Sequence, residues 1–179
     1  ISAQIATVRE ARKAGAKAVG YTIYIGSQFE AKMIEQFEDI QREAHEHWLH
    51  VIAWIYPRGK KIKSDTSREM LAYAARVGLE IGADMVKIKY NGSKEDLKWA
   101  VKSAGKTKVV IAGGVKKTEE EFLKQVKDIM SSGAIGLAVG RNVWQSPHPV
   151  AMAKALRSIV HEKATVKKAL ELFNEIRNK

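Results

Sequence analysis

A chain of 179 residues is long enough to bury one well-packed core. With 45% apolar and 28% charged residues, it is not composed like a disordered chain, and no apolar run is long enough to span a bilayer. The absence of cysteine excludes disulfides and thiolate metal sites and fits a cytoplasmic protein. The net charge of +11 admits two readings: a surface that attracts nucleic acid or phosphorylated metabolites, or a solvated, lysine-rich exterior. The lysines are dispersed among acids such as Glu95-Asp96 and Glu119-Glu120-Glu121, and no basic run alternates with aromatics. The solvated exterior is therefore preferred, and neither nucleic acid nor a membrane is expected as a partner. The sequence opens on Ile1 with no secretory signal, the pattern of a trimmed or partial chain.

In chain order, apolar spacing over Ile5, Val8 and Ala11 predicts a helix from Ser2 to Ala14, ended by Gly15. Lys17–Tyr24 is β-branched and aromatic, a strand, and Gly26-Ser27 turns after it. Phe29–Glu46 is a long helix with Met33, Ile34, Phe37 and Ile40 as its buried stripe. Leu49–Tyr56 is a strand stopped by Pro57-Arg58-Gly59. After a basic loop, Asp65 or Thr66 is expected to cap a helix carrying Met70, Leu71, Ala74, Val77 and Leu79. Met85–Tyr90 is a strand, and Ser93 caps a helix through Lys102. Val109–Ala112 is a strand that breaks at Gly113-Gly114. Thr118 and Glu121 form a capping box for a helix over Glu119–Ser131. Ile135–Val139 is the last strand, followed by helices over Pro149–His161 and Thr165–Ile176. Strands alternating with helices imply a parallel sheet in an α/β fold, and Gly-Ala recurs before three strands, at Gly15-Ala16, Gly82-Ala83 and Gly133-Ala134. No linker, low-complexity stretch or second domain is visible, so residues 1–179 read as one domain.

In a parallel sheet, function gathers where strands end. The carboxyl ends here are rich in polar groups and the amino ends are plain, which is the pattern of an enzyme. Met85, Lys87 and Lys89 share one strand face. A lysine beside another cation in a dry pocket loses its proton readily and becomes a nucleophile for carbonyls; alternatively, both lysines snorkel into water. Trp54 and Tyr56 also share a face. A tyrosine hydroxyl can move protons, or the two rings are a core pair. Gly113-Gly114 and Gly140-Arg141 either bring backbone N–H groups and a guanidinium to a phosphate or are ordinary tight turns. His45 and His47 do not face one ligand, so no metal site is expected.

The set Val19-Gly20-Tyr21-Thr22-Ile23-Tyr24 with Gly26-Ser27, Trp54-Ile55-Tyr56-Pro57-Arg58-Gly59, Val86-Lys87-Ile88-Lys89-Tyr90, Ile111-Ala112-Gly113-Gly114 and Ala138-Val139-Gly140-Arg141-Asn142 resembles the archaeal-type class I fructose-1,6-bisphosphate aldolases. The resemblance covers about Ile5 to His161. It implies a (β/α)8 TIM barrel, no metal or other cofactor, a sugar-phosphate substrate, and assembly into homo-oligomers. It further implies that Lys87 is the Schiff-base lysine, that Tyr56 transfers protons, and that Trp54 shapes the site. Pro57, Arg58, Lys89, Ala112, Gly113, Gly114, Gly140 and Arg141 would contact substrate or its phosphates. Set beside that family the chain supplies about five βα units, the later part of the barrel, and the first three strands with an acidic site residue are expected in a segment that precedes Ile1. A sister branch, the 2-amino-3,7-dideoxyheptulosonate synthases, shares the tyrosine, the lysine and the glycine ends. A non-catalytic basic binding protein is the reading from a different class.

Overall fold

The computed structural model describes residues 1–178. Five strands form one parallel sheet in sequential order: β1 (Ala18–Ile23), β2 (His50–Ile55), β3 (Met85–Ile88), β4 (Lys108–Ala112) and β5 (Gly136–Ala138). The connecting helices are α1 (Val8–Lys13), α2 (Glu30–Glu46), α3 (Arg68–Glu80), α4 (Lys94–Ser103), α5 (Glu119–Ser131), α6 (Arg141–Trp144), α7 (Pro149–Glu162) and α8 (Val166–Arg177). A parallel neighbour can be reached only by a crossover, and each strand-to-strand crossover here carries a helix. Sequential order with α2 packed on β1 and β2, α3 on β2 and β3, and α5 on β5 is the (β/α)8 arrangement, here as five βα units.

One face of the sheet is covered and the other is open. Tyr21, Ile23, Val51, Ala53, Ile55, Val86, Ile88, Val109 and Ile111 are buried and form the core with Met33, Phe37, Leu71, Ala74 and Leu97 from the helices. The alternate residues point the other way, as the two-residue period requires. Thr22, Ile52, Met85, Lys87, Val110 and Gly136 there are only half-buried, and Trp54 is exposed. A second cluster, with Phe122, Val126, Met152, Leu156 and Phe173, joins α5, α7 and α8.

Two helix starts differ from expectation. The first helix begins at Val8, not Ser2: Thr7 and Glu10 form a capping box there, and Ile5 is 98% exposed. A reciprocal cap satisfies orphan N–H groups that apolar spacing alone cannot. Ser67, rather than Asp65 or Thr66, caps α3 by accepting from Met70 N–H, and Asp65 is used elsewhere. The third strand stops at Ile88, so Lys89 and Tyr90 lie just beyond it. The remaining expected elements are present with their ends shifted by a residue or two, and α6 is additional.

The Gly-Ala pairs are helix terminations. Gly15 and Gly82 sit at φ +85° and +75°, and the alanine N–H after each reaches back to a helical carbonyl, Ala16 to Ala11 and Ala83 to Gly78, at 3.0 Å in both cases. That 6→1 bond through a left-handed residue ends a helix and turns the chain sharply into the next strand. At the amino end of β3, Asp84 ties the turn down. Its carboxylate accepts from Val51 N–H at 2.8 Å and lies 3.0 Å from His45 Nε2. Burial opposes ionisation of Asp84, but the His45 side chain, the Val51 N–H and the His45 and His50 charges outweigh it and hold the carboxyl below its ordinary range.

Candidate functional site at the carboxyl ends of the strands

Strand register lines up the open face. Thr22 pairs with Trp54, Trp54 with Lys87, Lys87 with Val110, and Val110 with Gly136. Two residues further along, the same alternation carries Tyr24, Tyr56, Lys89, Ala112 and Ala138 to one level at the carboxyl ends. The sequence expectations for Trp54, Tyr56, Lys87, Lys89 and Ala112 thus fall on one continuous surface.

The two lysines have different surroundings. Lys87 Nζ lies 5.3 Å from the centroid of the Trp54 ring, within cation–π range, and no carboxylate pairs with it among the described residues. Trp54 is not in the helix-facing core: it is 37% exposed, and its indole lies against Gly20. A Cβ at Gly20 would come within 2.6 Å of Trp54 Cζ2, so a glycine on β1 is what makes room for the ring. Lys89 instead forms an ion pair and hydrogen bond with Asp65 from the β2–α3 loop. An ammonium hydrogen-bonded to a carboxylate is held in place by it. One residue on, burial first, then Asp128 and Glu95, push the Tyr90 hydroxyl pKa up.

Tyr56 meets Arg58 and Tyr24. The Arg58 guanidinium stands 5.0 Å from the Tyr24 ring centroid and 5.9 Å from that of Tyr56, and the two rings are 6.5 Å apart. Pairing of β1 with β2 continues beyond the strands: Tyr56 N–H donates to Ile23 at 3.0 Å and Arg58 N–H to Ile25 at 2.8 Å. Gly59 then crosses the β1 loop so closely that a Cβ there would sit 1.7 Å from the Gly26 carbonyl oxygen. Pro57, two residues before Gly59, is buried. Only glycine fits at the crossing, and the loop that carries Arg58 is thereby fixed to its neighbour.

The glycine ends of β4 and β5 come together. Gly113 packs on Val139 with no room for a side chain, a Cβ there lying 2.6 Å from Val139 Cγ1. Gly114 is left-handed at φ +68°. Arg141 Nη2 donates to the Gly114 carbonyl at 2.9 Å, so part of its fork holds the loop. Gly140 precedes α6 and lies under the Trp144 ring. Beside Arg141 is Asn142, which the sequence reading quoted only as part of a motif. It is 4% exposed and touches the β4 loop at three points. Asp65 was also missed as a site residue. Neither carries a local signal, because each acts across more than twenty residues of sequence.

No group of three or more His, Cys, Asp or Glu among the described residues could hold a metal ion, and no helix there is long and apolar enough to cross a membrane. A cavity of about 360 Å³ lies between residues 2–8 and β1, and of the residues above only Gly20, Thr22 and Trp54 line it.

The fold and these strand ends have known counterparts. A fructose-bisphosphate aldolase class 1 of Thermoproteus tenax is 51% identical over 162 residues, covering 90% of this chain and 62% of that protein. A 2-amino-3,7-dideoxy-D-threo-hept-6-ulosonate synthase of Archaeoglobus fulgidus is 40% identical over 167 residues, covering 93% of this chain and 62% of its own. The chain thus spans about three-fifths of the length of these relatives. Among solved structures, an archaeal fructose-1,6-bisphosphate aldolase, with its catalytic lysine covalently bound to the carbinolamine intermediate of the substrate, superposes with a TM-score of 0.87 at 50% identity, covering 89% of this chain and 64% of that one. Residues 2–146 match the DeoC/LacD family of aldolases. On that match and these relatives, the chain belongs to the DeoC/LacD aldolase family.

Proposed function

We propose that this chain carries the Schiff-base centre of a class I fructose-1,6-bisphosphate aldolase. The observation that carries the reading is the asymmetry of the lysines: Lys87 lies against an aromatic face with no carboxylate partner, while Lys89 is taken by Asp65. A nucleophilic lysine must have its Nζ free of an ion pair: Lys87 Nζ lies against the Trp54 ring and has no carboxylate partner among the described residues.

In this reading Lys87 Nζ attacks the C2 ketone of the sugar bisphosphate, and loss of water from the carbinolamine leaves an iminium. The C3–C4 bond then breaks with its electron pair flowing to the iminium nitrogen, and the C4 hydroxyl passes its proton to water. Glyceraldehyde 3-phosphate departs and an enamine remains. Tyr56 returns a proton to C3, and water releases dihydroxyacetone phosphate from Lys87. The iminium itself is the electron sink, so the chemistry calls for no metal or other cofactor. Arg58 would contact one end of the substrate. Gly113, Gly114, Gly140 and Arg141 would hold a phosphate, binding remote from the reacting bond that is used to position it.

The same reading makes residues 1–179 one domain that supplies the later βα units of a barrel, with the first strands and their acidic residue on a preceding segment. It includes assembly with copies of the chain and a cytoplasmic setting. The higher identity to the fructose-bisphosphate aldolase than to the heptulosonate synthase, 51% against 40%, favours this substrate. The test is cleavage of fructose 1,6-bisphosphate by the chain, with the preceding segment of a relative supplied in trans. Lys87→Ala is expected to abolish cleavage. Tyr56→Phe is expected to lower kcat by about 10²–10⁴-fold. Cleavage that survives Lys87→Ala would overturn the proposal.

A further inference from the structure

We propose that Asn142 is a positioning residue that turns the β4–α5 loop into an anion-binding nest. The inference rests on the phosphate role given above to the glycine end of β4, and in it Arg141 serves the anion by holding the Gly114 carbonyl. Asn142 is buried, yet every polar atom of its amide is used. Nδ2 donates to the Gly113 carbonyl at 3.1 Å and to the Val115 carbonyl at 2.9 Å, while Oδ1 accepts from Lys117 N–H at 2.9 Å. Between them, Arg141 Nη2 takes the Gly114 carbonyl at 2.9 Å.

Three consecutive carbonyls, of Gly113, Gly114 and Val115, are therefore drawn to one side by side chains of α6, the short helix after β5. In a trans peptide the C=O and the N–H of the following residue point in opposite directions. The N–H groups of Gly114, Val115 and Lys116 are thus aimed away from Asn142 and Arg141. None of the three has a hydrogen-bond partner among the described residues, and all three residues are exposed. Successive N–H groups converging outward from a glycine-containing turn form a concavity for an anion. The left-handed Gly114 permits that turn. The nest is created by occupying its carbonyls, and the residue that occupies two of them is Asn142.

A residue with this role sets affinity for the phosphate group, not the covalent step at Lys87. The test titrates the ¹⁵N-labelled chain with inorganic phosphate and follows backbone amides, comparing wild type with Asn142→Leu, close in size, apolar and uncharged. Wild type is expected to show saturable shifts at Gly114, Val115 and Lys116, and the variant at least a tenfold weaker midpoint with the rest of its spectrum preserved. If Asn142→Leu does not fold, Asn142→Ala is read in its place. Absence of shifts at these amides in wild type, or an unchanged midpoint in the folded variant, would overturn the inference.

A second arm compares borohydride trapping by dihydroxyacetone phosphate and by dihydroxyacetone. The variant is expected to lose the preference for the phosphorylated ketone while keeping its reactivity toward the unphosphorylated one, a split that general damage to the fold would not produce. Failure of wild type to trap either ketone with the preceding barrel segment supplied in trans would count against the aldolase reading, and the phosphate titration would still decide the role of Asn142.

Discussion

Gly78 of α3 lies directly against Val86 of β3, and replacing it measures how tightly the site strand is held. A Cβ at Gly78 would lie 2.7 Å from both Cβ and Cγ2 of Val86, roughly 1 Å short of an ordinary carbon–carbon contact. Val86 is fully buried and anchored in the sheet, so its Cβ cannot move aside; the helix must lift. Overpacking of this kind costs about 1–3 kcal/mol, and about 1 kcal/mol is returned because alanine is the better helix former. Gly78→Ala should therefore destabilise the fold by about 1 kcal/mol, a fall in Tm of about 2–4 °C, in urea or thermal unfolding at unchanged m-value. Val86→Ala removes Cγ2 but leaves Cβ, so the double variant should recover only part of the loss, a coupling of about 0.5–1 kcal/mol. Stabilisation by Gly78→Ala with no coupling to Val86 would refute the close approach. Lys87 follows Val86, so a lifted α3 would also disturb the site.

Gly20→Ala should push the Trp54 ring off its seat. Stability should change by less than about 1 kcal/mol, since the ring is partly exposed, while adduct formation at Lys87 should slow about tenfold; an unchanged rate would mean that Trp54 does not position the lysine. Asp65→Asn should raise the labelling of Lys89 by an acylating reagent severalfold at pH 8, with little change in Tm because a half-exposed ion pair contributes only about 0–1 kcal/mol; unchanged labelling would refute the pairing. Asp84 carries a pH prediction. Its carboxyl is held below its ordinary value in the folded chain, so the unfolded chain takes up the proton first as pH falls. The stabilisation is complete above the ordinary carboxylate pKa of about 4 and is lost as pH drops through the lower, folded value. Asp84→Asn should flatten that part of the stability–pH profile, and a profile identical to wild type would count against it.

Much of this architecture is legible because it is local. Alternation in Tyr21-Thr22-Ile23 and Val51-Ile52-Ala53 announces the strands and their covered face, and Thr118 with Glu121 announces a helix start. The same cap pattern at Thr7 and Glu10 was passed over in favour of the spacing of Ile5, Val8 and Ala11, which put the first helix six residues too early. The strand-end motifs were legible through family resemblance, since spacing alone left Lys87 and Lys89 equivalent. What separates them is Asp65, brought to Lys89 from the preceding loop. Asn142 was illegible for the same reason: its three contacts lie on the loop after the neighbouring strand, and parallel pairing, not sequence, puts them side by side. A buried amide with all its capacity used has no signature in one dimension.

In the proposed chemistry Lys87, and not Lys89, forms the covalent link with a ketose phosphate. Borohydride trapping with dihydroxyacetone phosphate, followed by peptide mass spectrometry, tests it most directly. A single reduced adduct is expected on Lys87, lost in Lys87→Ala and retained in Lys89→Ala. An adduct on Lys89 or another lysine, or none from the folded chain with the preceding barrel segment supplied in trans, would contradict it.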